Sequence, residues 1–299
     1  MNVARRRLDN ELVRRCMVPS RAAAQALISS GRVLVGGSVA HKPSRMVAAG
    51  EPVHVSGEPP RFVSRGGDKI DAALDTFGIA VARRRVVDAG SSTGGFVDCL
   101  LQRGAAQVVA VDVGWGQLDA RLRDDPRVIV QERCNVRHVG PADIGGAADI
   151  VTADLSFISL ETVMPNLAAC TAPGGDAVLL VKPQFEAGRR EASRGKGVVR
   201  DPEVWRRVLS DVATRASLNG LAPCGVTASP LRGAAGNAEF FLHCRRVVDG
   251  TFAATDDAEP RAFDLEAAIE IAVEIALEVP PSAGAAGAGG IPTTGEASP

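Results

Sequence analysis

A run of small and polar residues, Asp88-Ala89-Gly90-Ser91-Ser92-Thr93-Gly94-Gly95-Phe96, follows the apolar pair Val86-Val87. A glycine-rich turn between a strand and a helix lets the main chain come close to a ligand and aims N–H groups at it. Asp112 ends the next apolar run about twenty residues on, where a carboxylate can accept hydrogen bonds from ribose hydroxyls. Together Asp88, Gly90, Ser91, Ser92, Thr93, Gly94, Gly95, Phe96 and Asp112 outline a cradle for a nucleoside-containing cofactor. Three non-glycines separate Gly90 from Gly94, so the loop lacks the G-x-G-x-x-G pattern of dinucleotide folds. Asp88, two positions before Gly90, suits a cationic methyl donor better than NAD. The bland alternative is an ordinary strand–helix turn that binds nothing. Asn135, at the end of the third β-rich run, is a further candidate for the cofactor's adenine.

Four charged residues sit where such a sheet opens toward a substrate. Lys69 follows Arg65-Gly66-Gly67-Asp68, Asp154 lies just past the run Ile150–Ala153, Lys182 ends Val178–Val181 and precedes Pro183, and Glu239 precedes Phe240–Cys244. Singly, a charged side chain at a strand end is more often solvated than catalytic. Val181-Lys182-Pro183 is less ordinary, because it would hold an ammonium at the rim of a buried sheet.

The elements that must position these groups are legible as an alternation. The β-rich runs are Val86–Ala89, Val108–Val113, Val128–Gln131, Ile150–Ala153, Asp176–Val181 and Phe240–Cys244, with helical stretches at Phe96–Arg103, Ser159–Cys170 and Pro202–Ser217. That alternation predicts an α/β fold with a central, mostly parallel sheet covered on both faces, whose ligands bind beyond the carboxyl ends of the strands. A helix is expected over Asp264–Glu278, where glutamates at a spacing of four repel mildly and require packing on the apolar side. Residues 280–299 hold few bulky apolar side chains and are expected to be disordered.

The net charge of −1 hides an asymmetry: residues 1–70 hold twelve Lys and Arg against five Asp and Glu, whereas residues 249–299 hold one against ten. A basic end points to a polyanion partner or to a plainly solvated surface. No apolar run reaches the ~20 residues of a membrane span. The six cysteines form no CxxC pair or metal-ligand cluster, which fits reduced thiols in a cytoplasmic protein without a metal.

Residues 1–56 read as a small α+β module. Ser20 is placed to cap a helix over Arg21–Ser29, Gly31 to end it, and Arg32–Val35, Ser38-Val39 and Val53–Val55 to form short strands. The stretch RLDNELVRRCMVPSRAAAQALISSGRVLVGG resembles the S4 RNA-binding domain. The resemblance makes Arg5, Arg6, Arg7, Arg14, Arg15, Arg21 and Arg32 candidates for phosphate contacts, with Arg65 at the start of the larger domain. The module is nearly free of aromatics, so recognition by shape and phosphate is favoured over base stacking. Residues 57–62 form a linker, 63–248 the α/β domain, and 249–299 an acidic extension.

The order of the four charged groups, with the glycine loop between the first two, resembles the Lys–Asp–Lys–Glu tetrad of FtsJ-type ribose 2′-O-methyltransferases. The segments SRGGDKI, DAGSSTGGF, ADLSFIS, LVKPQFE and NAEFFL resemble one family of these, the TlyA family, known also under the name hemolysin. That resemblance spans residues 5–247. It implies a Rossmann-like methyltransferase that binds S-adenosyl-L-methionine and methylates cytidine riboses of 16S or 23S rRNA, free or in ribosomal subunits. It makes Lys69, Asp154, Lys182 and Glu239 the catalytic set, with Asp154 also near the cofactor. A ribose hydroxyl must lose its proton during attack. Lys182 is assigned as general base, Lys69 as the neighbouring cation that favours its neutral form, and Asp154 and Glu239 as the groups that orient the two lysines. Glu186 is the acidic alternative to Glu239. The loop Gly188–Gly197 is either a segment that orders on RNA or a plain surface loop. The competing readings are a membrane-active hemolysin, an RNA binder with an inactive catalytic domain, and a nicotinamide-dependent dehydrogenase.

Overall fold

The computed structural model describes residues 5–15, 17–18, 21–57, 60–188, 191, 195, 197–233, 235–247 and 263–280. The expected Ser20 cap, the residues after 280 and most of the loop 188–197 lie outside them. The chain divides into two compact units, Met1–Val63 and Ser64–Pro299.

In the first unit, α1 (Leu8–Arg14) and α2 (Arg21–Ser29) pack on two small antiparallel sheets. One pairs β1 (Arg5–Arg7) with β4 (Met46–Ala48); the other has the order β3-β2-β5, from Val33–Val35 (β2), Ser38–Val39 (β3) and Val53–Val55 (β5). Leu8, Leu12, Ile28, Val33, Val35 and Val47 form its core. Gly31 ends α2 in the left-handed conformation, its N–H on the Ile28 carbonyl. Two carboxylates, Asp9 and Glu11, are buried in this small body. Asp9 accepts from Arg7, Arg21 and Gln25, and Glu11 from Arg14 and Arg15. These donors hold both carboxyls far below the usual range, Glu11 at about 2, chiefly through the guanidinium of Arg14.

The second unit is built on a seven-stranded sheet of order β11-β12-β10-β9-β6-β7-β8. Its strands are β6 (Arg85–Ala89), β7 (Gln107–Val111), β8 (Val128–Gln131), β9 (Ala148–Ala153), β10 (Thr171–Val181), β11 (Leu221–Ala228) and β12 (Phe240–Arg246). The run from β10 to β8 is parallel, and β12 is antiparallel to both neighbours. The central strands β6, β7 and β9 are buried over almost their whole length because helices cover both faces. Those helices are α3 (Gly66–Phe77), α4 (Gly95–Gln102), α5 (Ala120–Arg123), α6 (Leu160–Cys170), α7 (Pro183–Glu186), α8 (Pro202–Leu218) and α9 (Leu265–Glu278). Side-chain caps start four of them: Asp119, Ser159, Asp201 and Asp264 each accept an N–H of the first turn.

Three expectations change. The run expected over Val108–Val113 ends at Val111, because Asp112 turns its carboxylate back onto the main chain at Ser92 and Gly114. Strand β11 is an addition to the expected elements, since Pro223 and Gly225 interrupt its apolar pattern. Helix α3, opening on two glycines, is another. The acidic α9 finds the apolar support it needs: Ile269, Ala272, Val273 and Ala276 are buried, and Glu270 pairs with Arg206.

Candidate active site

Strand order reverses between β6 and β9, whose carboxyl ends lie in register at Asp88–Thr152 and Ala89–Ala153. Ligands of open α/β sheets sit at such a switch point. The Asp154 N–H on the Ala89 carbonyl, 3.0 Å, ties the two strand ends together. From there the chain runs from β6 through the glycine loop into α4. Gly90 (φ 87°) and Gly94 (φ 96°) take left-handed conformations, as does Ser92 at φ 46°. A Cβ on Gly90 would lie 2.5 Å from the Asp154 carbonyl, so only glycine allows the loop to pass here. A Cβ on Gly95 would meet Ser64 Oγ and the Gly67 nitrogen, so α3 and α4 cross at glycines.

Asp112 staples the loop. Its carboxylate accepts from the Ser92 N–H at 2.7 Å and from the Gly114 N–H at 2.6 Å, and a carboxylate has further lone pairs for a ligand. Asp88 is fully buried, with one oxygen accepting from Thr152 Oγ1 at 2.7 Å and the other unpartnered. Burial pushes its carboxyl up to about 7; the Thr152 hydroxyl works against that shift, and the nearby Asp154 and Asp112 add to it. An orphaned buried carboxylate oxygen behind a glycine cradle fits the cationic end of a methyl donor.

A cavity of about 680 Å³ opens in front of this loop. Lys69, Gly90, Ser91, Ser92, Thr93, Gly95, Phe96, Asp154, Lys182 and Glu239 line it, and Arg65 is at its wall. The four charged groups form two ion pairs. Lys69 Nζ lies 2.5 Å from Glu239 Oε2, and Lys182 Nζ 2.5 Å from Asp154 Oδ1, with Ser156 Oγ accepting from Lys182 at 3.1 Å. Lys69, Lys182 and Glu239 are buried, so each ammonium relies on its carboxylate. Lys182 reaches this place because Pro183 starts α7 directly after it, with Lys182 as the capping residue.

Asp88, Gly94, Asp112 and Asn135 do not line the cavity. The Asn135 side chain accepts from the Arg137 N–H and caps the short 3₁₀ turn Val136–His138. Glu186, the acidic alternative, is held by Ser159 and the Leu160 N–H outside the cavity lining. Glu239 is therefore the carboxylate that meets Lys69. Sequence reading passes over Ser64, Ser156, Phe157, Gln184, Phe185, Gly233 and Asn237, which also line the cavity. Phe157 is 91% exposed, takes φ 63° and meets the Phe185 ring at a tilt, with centroids 5.4 Å apart. A bulky residue at positive φ is a strained placement of the kind that gathers at functional sites. Gln184 Oε1 is buried without a hydrogen-bond partner. The signal in the sequence for these residues is proximity: Ser64 to Lys69, Ser156 and Phe157 to Asp154, Gln184 and Phe185 to Lys182, and Gly233 and Asn237 to Glu239.

The candidate phosphate-binding arginines of the first unit divide. Arg5 and Arg6 are exposed. Arg7, Arg14 and Arg21 bind the buried carboxylates with about half of each side chain exposed, at 42%, 47% and 56%. Arg15 is committed to the fold: besides Glu11 it donates to the carbonyls of Ala48, Ala49 and Glu51. Arg32 donates to the Ser56 carbonyl. Among the described residues no helix is long and apolar enough to cross a membrane, and no cluster of His, Cys, Asp or Glu could hold a metal ion.

Two family profiles match the chain: the FtsJ-like methyltransferase over residues 62–246 and the S4 domain over residues 6–53. A 16S/23S rRNA (cytidine-2′-O)-methyltransferase TlyA of Mycobacterium tuberculosis is 50% identical over 261 residues, covering 86% of this chain and 97% of the relative. Hemolysin A of Brachyspira hyodysenteriae is 34% identical, covering 79% of this chain and 98% of its own. Among solved structures, one from Streptococcus thermophilus, named as a hemolysin candidate, superposes with a TM-score of 0.70 at 36% identity, covering 92% of this chain and 96% of its own. A switch point built from a glycine cradle and two lysine–carboxylate pairs thus coincides with the matched region, and the chain belongs to the FtsJ-like methyltransferases, in the TlyA family that joins them to an S4 domain.

Proposed function

We propose that the chain is an S-adenosylmethionine-dependent methyltransferase acting on the 2′-hydroxyl of cytidine in ribosomal RNA. The observation that carries this reading is the pair of buried lysine–carboxylate contacts facing one cavity beside the glycine cradle. When bound, S-adenosylmethionine supplies an electrophilic methyl group on a sulfonium. Gly90, Ser91, Ser92 and Thr93 would hold it along the loop, Asp112 would take its ribose, and Asp88, buried behind the cradle, would act on its cationic end through its charge.

What remains for the protein's own groups is to place a ribose hydroxyl and remove its proton. Lys182 Nζ, as the neutral amine left once its ammonium has given up a proton to solvent, receives that proton and returns to the ammonium, and Asp154 and Ser156 fix its direction. Lys69, locked onto Glu239, keeps a positive charge at the same wall and orients the hydroxyl oxygen. Holding the oxygen in line supplies much of the acceleration without further chemistry. The exposed Phe157 ring at the cavity offers a face on which a base can stack. Gln184 offers an unpaired acceptor beside it. Residues 1–56 act as the RNA-binding module and 63–248 as the catalytic domain. Of the candidate arginines, Arg5, Arg6, Arg7, Arg14, Arg21 and Arg65 are the ones assigned to meet phosphate.

The name of the Brachyspira relative raises a membrane-active reading, but the described residues offer no spanning helix for it. The test is transfer of tritiated methyl from S-adenosylmethionine to ribosomal subunits lacking the modification, followed by nuclease mapping. Label on a cytidine 2′-oxygen is expected. Donor binding without label on either subunit or on free rRNA would overturn the substrate assignment, and absence of donor binding would overturn the enzyme.

A further inference from the structure

Two chain segments build the wall around Lys182. One, residues 154–159, follows β9 and carries Asp154, Ser156 and Phe157; the other, residues 182–186, follows β10 and carries Lys182, Gln184 and Phe185. They meet at four places. Lys182 pairs with Asp154, Lys182 donates to Ser156, and the Phe157 ring meets Phe185 at a tilt. The fourth contact is made by Glu186, at the end of α7. Its Oε2 accepts from Ser159 Oγ at 2.6 Å, and its Oε1 accepts from the Leu160 N–H at 2.9 Å. Ser159 is the N-cap of α6, and its Oγ accepts from the Glu161 N–H at the same time.

The first two contacts depend on the charge of Lys182, and the third involves an exposed ring. A base that takes up and releases a proton alternately strengthens and weakens its bonds to Asp154 and Ser156. Of the three polar contacts, that of Glu186 is the one independent of that cycle. The start of an eleven-residue helix favours a negative charge, and two donors engage both carboxylate oxygens. Burial alone would push this carboxyl up, and it does so on balance, although both hydrogen bonds oppose it. The group thus carries an electrostatic cost that a surface cap would not.

We propose that Glu186 is a positioning residue that keeps the Asp154–Phe157 segment in register with Lys182 while the contacts of Lys182 itself are broken and remade. The proposal rests on the methyltransferase reading for its turnover but not for its structural part. Glu186 does not line the cavity and touches no reacting atom.

The experiment compares the full chain with Glu186→Ala and Glu186→Gln by two readouts. Methyl transfer is measured at saturating donor and RNA and expressed per donor-binding site. Amide hydrogen exchange is followed peptide by peptide without RNA. Glu186→Ala is expected to lower kcat at least tenfold, to leave the donor Kd within threefold, and to speed exchange over residues 154–160 alone. Glu186→Gln is expected to restore most of both, because its amide oxygen can accept from Leu160 N–H while the Ser159 hydroxyl reverses to accept from the amide nitrogen. Unchanged kcat per site in a folded Glu186→Ala protein, or Gln no better than Ala, would overturn the proposal. So would faster exchange spread over the whole domain. Should Glu186→Ala fail to fold, Ser159→Gly removes one half of the contact while leaving a residue that N-cap positions tolerate, and is read the same way. If the unaltered chain transfers no methyl, the functional reading fails, and exchange over 154–160 alone decides the tether.

Discussion

Lys69 Nζ and Glu239 Oε2 stand 2.5 Å apart although 170 positions separate them in the chain. Lys69 enters from the first turn of α3 and Glu239 from the residue before β12, and both are buried. Removing one member of such a pair strands the other charge, at a cost of roughly 3–5 kcal/mol, whereas removing both is far milder. Lys69→Met is therefore expected to lower the melting temperature more than Lys69→Met combined with Glu239→Gln. Both should lose methyl transfer. Melting curves and transfer assays on these variants and the unaltered chain check this, and equal destabilisation would show that the pair is not coupled.

Gly233 governs the same pair from the other side. A Cβ there would lie 2.5 Å from Glu239 Oε1, and the Gly233 N–H is already engaged by the Asn237 carbonyl at 2.9 Å. Gly233→Ala should push the carboxylate off Lys69. A misplacement of about 1 Å can cost on the order of 100-fold in rate. The expected outcome is a fall in kcat of roughly 10- to 100-fold with donor affinity unchanged, read by steady-state kinetics and calorimetry.

These two relationships mark where the sequence stops being legible. The sheet, its main helices and the glycine loop follow from local patterns: apolar runs, caps and turn glycines, each decided within a few residues. Val86–Ala89 and Val128–Gln131 form strands as their composition requires. The pairing of Lys69 with Glu239, and the role of Glu186 as a clamp, depend on which distant segments meet, and no spacing rule contains that. Strand β11 is hidden because Pro223 and Gly225 break its pattern at an edge of the sheet, where the ladder tolerates them. Asn135, a candidate ligand by position, caps the turn Val136–His138 and lies outside the cavity lining.

Lys182→Ala is expected to abolish transfer, lowering kcat by roughly 100- to 10,000-fold, the usual range for losing a positioned base. Donor and RNA binding should persist, since neither the glycine loop nor the first unit involves this side chain. Calorimetry with the donor, filter binding with RNA and a single-turnover assay give the three readouts. Lost donor affinity would move Lys182 from proton transfer to cofactor binding.

The arginines of the first unit should separate by role. Arg5→Ala with Arg6→Ala removes two exposed cations from β1 and should weaken RNA binding without altering stability. The slope of log affinity against log salt should flatten by roughly 0.7–0.9 for each phosphate that is no longer neutralised. Arg15→Ala should instead unfold or loosen the module, because it leaves Glu11 with one partner and removes the guanidinium that ties the carbonyls of Ala48, Ala49 and Glu51 to α1. Thermal melts beside salt-dependent binding distinguish the two. Equal effects on stability would count against the division.

Asp88 makes the pH dependence specific. Its carboxyl titrates near 7 in the folded protein against an ordinary value of 3.8, because burial disfavours the carboxylate. Between these values the folded state holds a proton that the unfolded chain has released. Stability contributed by this group is thus greatest below pH 3.8, falls as pH rises through the window, and levels off above 7, the loss being on the order of 1.4 kcal/mol for each pH step of one across that window. Asp88→Asn cannot ionise and should flatten that part of the profile, being more stable than the unaltered chain at pH 8. A cationic donor placed against Asp88 favours the carboxylate and reverses the preference. Donor affinity should therefore increase from pH 6 to pH 8, with a proton released on binding near neutrality. Calorimetry in two buffers of different ionisation heat measures that proton directly. No proton release, or an affinity in Asp88→Asn that still rises with pH, would remove Asp88 from the donor's cationic end.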